Sequence, residues 1–314
     1  MNTPQEHPGT RLRALMHRQL AVMPGAFNGL VARAVADAGF QATYVSGGAV
    51  SAASGVPDIG LRTLDHFTRV IREVADGSGL PLIADADTGF GEGEMTARTV
   101  VEYSRAGAAG CHLEDQVFPK RCGHLEGKTL VATEHFCEKL EYACKARDGS
   151  TNGQFIVCAR TDAAAIEGLE GAIARATAYV HAGADMIFPE ALTEESHFAE
   201  FARAMQQLAG DAPTGGPYLL AHMSEFGKTP VIHHDRLREL GYHCCIHPVS
   251  TLRLAMGAII PALARLRTEG TIESSLQSMQ SRNDLYALLG YNPGEPWTFP
   301  NSPQHAEDTQ SVPG

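Results

Sequence analysis

The 314-residue chain has no uninterrupted apolar stretch approaching the ~20 residues that a membrane-spanning helix needs. It also lacks positive charge. Lys and Arg number 25 against 36 Asp and Glu, a formal net charge of −11, which leaves no basic face to displace counterions from nucleic-acid phosphates. An anionic small molecule is not excluded, because local cations decide that. There is no Cys-x-x-Cys pair, and seven scattered cysteines describe neither a disulfide framework nor a zinc ribbon. Cys244 and Cys245 are adjacent, so in a strand they face opposite sides, cannot pair, and read as buried filler. Met1 to Gly9 carries no signal-peptide apolar core. A reducing, cytoplasmic setting is the expectation.

What is present is an alternation. With 44% hydrophobic residues and 32 glycines the chain can bury a large α/β core. Short apolar runs recur at 21–23, 42–45, 82–84, 110–113, 155–158, 185–188, 218–221 and 243–246. Helical-period segments separate them, for example 29–38, 94–106, 169–182 and 196–208, and several of these end at Ala-Gly. Eight such repeats predict a (β/α)8 TIM-type barrel occupying residues 1–291 as one domain. Two further helices are expected at 251–269 and 272–289, followed by a Pro/Ser/Gln-rich tail, 292–314, expected to be disordered. Extra amphipathic helices need a surface to cover them. Packing onto a neighbouring copy, with helices exchanged between subunits of a homotetramer, is the expected solution.

In such a barrel the chemistry collects where strands end. Asp85 and Asp87 follow the third run, and strand alternation would put both carboxylates on one face, a magnesium site in outline. An isolated Asp-x-Asp is equally a turn or helix-cap pair. Lys120-Arg121-Cys122-Gly123-His124 places a thiol and an imidazole in a polar, glycine-hinged loop whose cations favour the thiolate, so Cys122 can release and recover a proton. An ordinary surface turn would look similar in isolation. Tyr44, Ser46, Gly47 and Gly48, then Glu114, Arg160, Glu190, His222, Ser224, Pro248 and Arg253 stand at other strand ends. Together they suit a small polycarboxylate chelated to Mg2+.

These motifs resemble the isocitrate lyase/phosphoenolpyruvate mutase superfamily. The resemblance runs in unbroken order over roughly residues 10 to 290, through the segments at 44–48, 85–91, 114–116, 120–124, 159–162, 188–190 and 225–227. The Lys-Arg-Cys-Gly-His segment is specific to the C–C lyase branch, and the greatest similarity is to members that cleave 2-methylisocitrate. That resemblance implies Mg2+, with Mn2+ as a substitute, held by Asp85, Asp87 and Glu114 directly or through water. Ser46, Gly47, Gly48, Gly123, Arg160, Glu190, His222, Ser224, Arg253 and Arg282 would bind substrate. Cys122 would be the general acid, His124 would help complete the closed lid, and Tyr44 is placed to take the hydroxyl proton.

The implied reaction is a retro-aldol cleavage of 2-methylisocitrate to pyruvate and succinate, in the methylcitrate route of propionate breakdown. Its difficulty is the carbanion, which fixed positive charge must stabilise and a lid must shield from water. Phe188, Ile246 and Pro248 resemble the apolar wall that admits the substrate methyl. Two departures leave room for a related acid: His222 stands where such lyases usually carry asparagine, and His247 where tyrosine is common. Isocitrate, dimethylmalate or oxaloacetate cleavage is therefore the alternative. A barrel that binds without turnover, or a zinc protein whose scattered His and Cys converge, are the readings from other classes.

Overall fold

The eight apolar runs become eight parallel strands in the computed structural model, which describes residues 6–121, 123 and 127–297. They are β1 (Ala21–Pro24), β2 (Thr43–Val45), β3 (Leu82–Asp85), β4 (Gly110–Glu114), β5 (Ile156–Thr161), β6 (Met186–Pro189), β7 (Tyr218–His222) and β8 (Cys244–His247). Each neighbours the next, β8 pairs with β1, and a bridge between Gly25 and Tyr44 closes the remaining seam. The α/β barrel expected from the sequence is the fold.

Side-chain alternation sorts the strands into two faces. Met23, Tyr44, Ile83, Cys158, Met186, Phe188, Leu220, Cys244 and Ile246 point inward and pack together, whereas Val45, Leu82, Ala84, Cys111, Val157, Ile187 and Cys245 pack outward against helices. Cys244 and Cys245 do fall on opposite faces. The bottom of the barrel is closed by α1 (Pro8–Arg18), whose Leu12, Leu15 and Met16 join the interior cluster. Burying each such side chain contributes about 1.5–3 kcal/mol. Following the inward positions up each strand, apolar residues give way to Asp85, His112, Glu114, Arg160 and His222 at the opposite end. This end is the mouth.

The outer helices are α2 (Gly29–Asp37), α3 (Gly47–Ala53), α4 (Leu64–Ser78), α5 (Gly93–Arg105), α6 (Thr133–Thr151), α7 (Gly168–His181), α8 (Glu195–Met205) and α9 (His234–Glu239). Helices α2, α5 and α7 end at Ala-Gly with the glycine in the left-handed region, φ 84° at Gly39, 99° at Gly107 and 101° at Gly183. This ending was legible.

The tail differs from expectation. Helix α10 (Ser250–Glu269) forms as predicted, but the second helix, expected over 272–289, breaks into a 3-10 stretch (Glu273–Ser278) and α11 (Arg282–Leu288). The cause is Ser281, whose hydroxyl accepts the Asp284 N–H while the Asp284 carboxylate accepts from Ser281, a capping box that starts a new helix. Of the tail, residues 298–314 lie outside the described residues.

Candidate active site

The mouth is crowded with buried charge. Asp85 ends β3 and Glu114 ends β4, while Arg160 lies on β5 with Asp162 just beyond it, and Glu190 follows β6. All are almost fully buried. The Arg160 guanidinium donates two hydrogen bonds to Asp162, from Nε at 3.0 Å and Nη2 at 3.1 Å; its Nη1 lies 3.2 Å from Glu114 and its Nη2 3.7 Å from Glu190. The same guanidinium rides over the Phe188 ring at 5.2 Å. Such a bidentate fork fixes the cation where a planar carboxylate of a ligand could meet its free face.

Asp85 and Asp87 converge, but not by strand alternation. β3 stops at Asp85, and Asp87 sits in a turn with φ 46°, its N–H donating to Asp85 Oδ1 at 3.0 Å. A non-glycine residue in this region is held there by its surroundings. The Gly47 N–H donates to Asp85 Oδ2 at 3.0 Å, and a Cβ at Gly47 would stand 2.6 Å from that oxygen. Glycine is therefore needed for the close approach. Ser46 caps α3 by accepting the Ala49 N–H, and Gly48 lies beside Asp58.

The loop cation Lys120 is not the exposed promoter of a thiolate that the sequence suggested. Its ammonium is buried, 2.6 Å from Asp58 Oδ1 and 2.7 Å from Asp87 Oδ1, because a lysine can leave water only among carboxylates. Arg121 remains exposed. Cys122 and His124 lie outside the described residues, but Gly123 is buried, its carbonyl accepts from Lys128 Nζ, and a side chain there would collide with Arg160 and Glu190. Lys128 also pairs with Asp162 at 2.7 Å.

Several mouth residues had no motif to announce them. His112 is an imidazole in an otherwise apolar strand, and its Nε2 lies 2.6 Å from the Tyr44 hydroxyl and 3.7 Å from Asp85 Oδ1. Burial lowers its pKa to about 4 despite the opposing pull of Asp85, so His112 is neutral and its Nε2 can accept the Tyr44 proton. Burial raises Tyr44 well above its usual value, which keeps the phenol protonated. His112 held one signal, its inward register between Gly110 and Glu114. Asp58 and Lys128 held none.

His222 pairs through Nδ1 with Glu190 at 2.9 Å and packs edge-on to Phe188. Ser224 is buried just past β7. Phe188, Ile246 and Pro248 are buried, Phe188 and Ile246 within the interior cluster. Arg253 is half exposed at the rim, 4.0 Å from Glu225 and over the Phe226 ring. Arg282 is not brought to the mouth within one chain: it is exposed at the start of α11, which lies against α2 on the outside of the barrel.

A divalent cation fits this arrangement. Among the described residues, Asp58, Asp85, Asp87, Glu114, Asp162 and Glu190 gather around Lys120, Lys128 and Arg160. Among the described residues, neither oxygen of buried Glu114 takes part in a hydrogen bond. Burial, against the pull of Arg160 and Lys120, pushes Glu114 well above the carboxylate range. Burial also pushes Asp87 up to about 6, aided by Asp85 and opposed by Lys120; for Asp85 burial is outweighed by His112, Lys120 and Arg160, which hold it at about 2. Mg2+ takes one or two carboxylates directly and keeps part of its water shell, a donor set that Asp85, Asp87 and Glu114 could supply.

A barrel whose strand ends gather carboxylates around a buried arginine carries its polar site where α/β-barrel enzymes carry theirs. The chain belongs to the phosphoenolpyruvate phosphomutase family, whose model matches residues 12–267. It is 48% identical to a probable 2-methylisocitrate lyase 1 of Corynebacterium glutamicum, covering 88% of this chain and 87% of that one. It is 44% identical to a 2-methylisocitrate lyase of Aeropyrum pernix, over 92% and 89%. Among solved structures, a 2,3-dimethylmalate lyase of the PEP mutase/isocitrate lyase superfamily superposes with TM-score 0.82 at 35% identity, over 91% of this chain and 93% of that one. An oxaloacetate acetylhydrolase gives 0.82 at 34%, over 90% and 93%, and a phosphonopyruvate hydrolase in complex with oxalate and Mg2+ gives 0.78 at 28%, over 90% and 95%.

Proposed function

We propose that this chain is a Mg2+-dependent carbon–carbon lyase that cleaves 2-methylisocitrate to pyruvate and succinate, serving propionate breakdown by the methylcitrate route in the cytoplasm. The observation that carries the reading is the excess of buried carboxylate at the mouth, set around Arg160 and beside Gly123 of the Lys-Arg-Cys-Gly-His segment. The named relatives and the Mg2+-bound structural neighbour support it.

Asp85, Asp87 and Glu114 are the residues that would hold the cation, Mg2+ or alternatively Mn2+, which when bound supplies Lewis acidity toward a substrate hydroxy acid. The chain's own groups do the rest. Ser46, Gly47 and Gly48 take one substrate carboxylate, and Arg160 with Glu190 and His222 orient the hydroxy-acid end. Tyr44 accepts the hydroxyl proton as its own passes to His112 Nε2, to which it already points. The C–C bond breaks, one electron pair forms the pyruvate carbonyl, and the other remains on the succinate carbon. Cys122 donates its proton to that carbon, with Gly123 and His124 closing the lid against water. Phe188, Ile246 and Pro248 form the apolar wall for the methyl group. Pyruvate release from 2-methylisocitrate should vanish on chelation with EDTA and return with Mg2+. Release that persists in EDTA would contradict the metal assignment.

Helix α10 supports the expected assembly. None of its 20 residues is buried, and Leu254, Ile260 and Leu263 are 75%, 61% and 58% exposed. So much apolar surface on one element favours a covered face. We assign it to other copies of the chain in a homotetramer, with C-terminal helices exchanged so that Arg282 serves a neighbouring mouth while Arg253 stays at the rim of its own. Light scattering should return four times the chain mass of 33.5 kDa; a monomer would contradict it.

A further inference from the structure

We propose that His234, Cys245 and His247 form a second metal site, for a borderline transition-metal ion of the Zn2+ class, on the outer side of the barrel between β8 and α9. Cys245 and His247 are two apart on β8, and Cys245 packs with the outward-facing residues while Ile246 between them faces the interior. His234 opens α9 and brings its imidazole to the same point. Its Nε2 lies 2.9 Å from His247 Nε2, Cys245 Sγ lies 3.7 Å from His247 Nε2, and all three ligand atoms fall within 4.8 Å of one another. Bond lengths of ~2.0–2.1 Å to nitrogen and ~2.3 Å to sulfur set the tetrahedral edges at about 3.3 Å between nitrogens and about 3.6 Å between nitrogen and sulfur. The His234–His247 and Cys245–His247 edges lie within about 0.4 Å of these values.

Donor chemistry separates this site from the mouth. One thiol and two imidazoles suit a borderline or soft ion, whereas the carboxylates around Asp85 suit a hard one. Burial lowers His234 and His247, with repulsion from His234 adding to it in His247, whereas burial raises the Cys245 thiol to about 12. Glu225 acts electrostatically on His247, but its Oε1 accepts from Ser250 and its Oε2 lies 4.0 Å from Arg253. Water is the fourth ligand. A bound ion would pin α9 to β8 beside the segment that carries Glu225 and Phe226 at the rim.

The full-length protein, stripped by chelator and then saturated with Mg2+ to occupy the mouth, should be titrated with Co2+ and followed by absorption. One equivalent should raise a thiolate-to-cobalt charge-transfer band, which Zn2+ then abolishes by displacement. The band should be lost in Cys245→Ser and in His234→Ala, the latter a change on a partly exposed helix start that the fold tolerates, and retained in Asp87→Ala. No band at one equivalent would overturn the site, leaving a hydrogen-bonded trio. A band that survives Cys245→Ser would place the ion on another cysteine and overturn it equally.

Discussion

Cys122→Ser should lower turnover by roughly 10²–10⁴-fold, the scale of a lost general acid, while leaving Mg2+-dependent substrate binding nearly intact. Serine preserves the size of the side chain but holds its proton too tightly to quench a carbanion quickly. Binding is spared because the groups that grip the substrate are elsewhere: Arg160 is fixed by Asp162, and the carboxylates by Gly47, Lys120 and Arg160. Steady-state kinetics, paired with calorimetric binding of 2-methylisocitrate, separates the two effects. Wild-type turnover in the variant would remove Cys122 from the reaction, and loss of binding alone would make it a positioning residue.

Asp87→Ala should raise the Mg2+ concentration for half-maximal activity by at least ~10-fold, in line with the loss of a ligand or of the shell around one. The fold should survive, because Lys120 keeps Asp58 at 2.6 Å and is not left as an unpaired buried charge. Alanine sits less easily than aspartate in the left-handed turn at Asp87, but the backbone N–H that bonds Asp85 and holds the turn is kept. A Mg2+ titration at fixed substrate measures it. An unchanged curve would show that Asp87 serves Lys120 alone.

How much of this was legible follows from range in sequence. The barrel was, because eight apolar runs and Ala-Gly helix ends are local signals. So was the convergence of Asp85, Glu114, Arg160, Glu190 and His222, since strand alternation carries each to the same end of one barrel. Asp87 reached the right place by another route, a turn that alternation cannot foresee. The role of Lys120 was hidden because its partners, Asp58 and Asp87, come from separate loops, and burial reverses what an isolated Lys-Arg pair implies. Meeting of His234 with Cys245 and His247 depends likewise on how α9 docks on β8. The break at Ser281 had a local signal, Ser281 followed three residues later by Asp284, masked by apolar periodicity that continues through it.

The most direct test of the account is the ratio of kcat/KM for 2-methylisocitrate to that for isocitrate, read as pyruvate against glyoxylate formed by the Mg2+-loaded protein. An apolar wall of Phe188, Ile246 and Pro248 predicts a preference for the methylated acid of about 10–200-fold, the discrimination that one methyl group in such a pocket provides. Equal or reversed rates would contradict that substrate assignment, as would cleavage of 2,3-dimethylmalate or oxaloacetate with neither isocitrate touched.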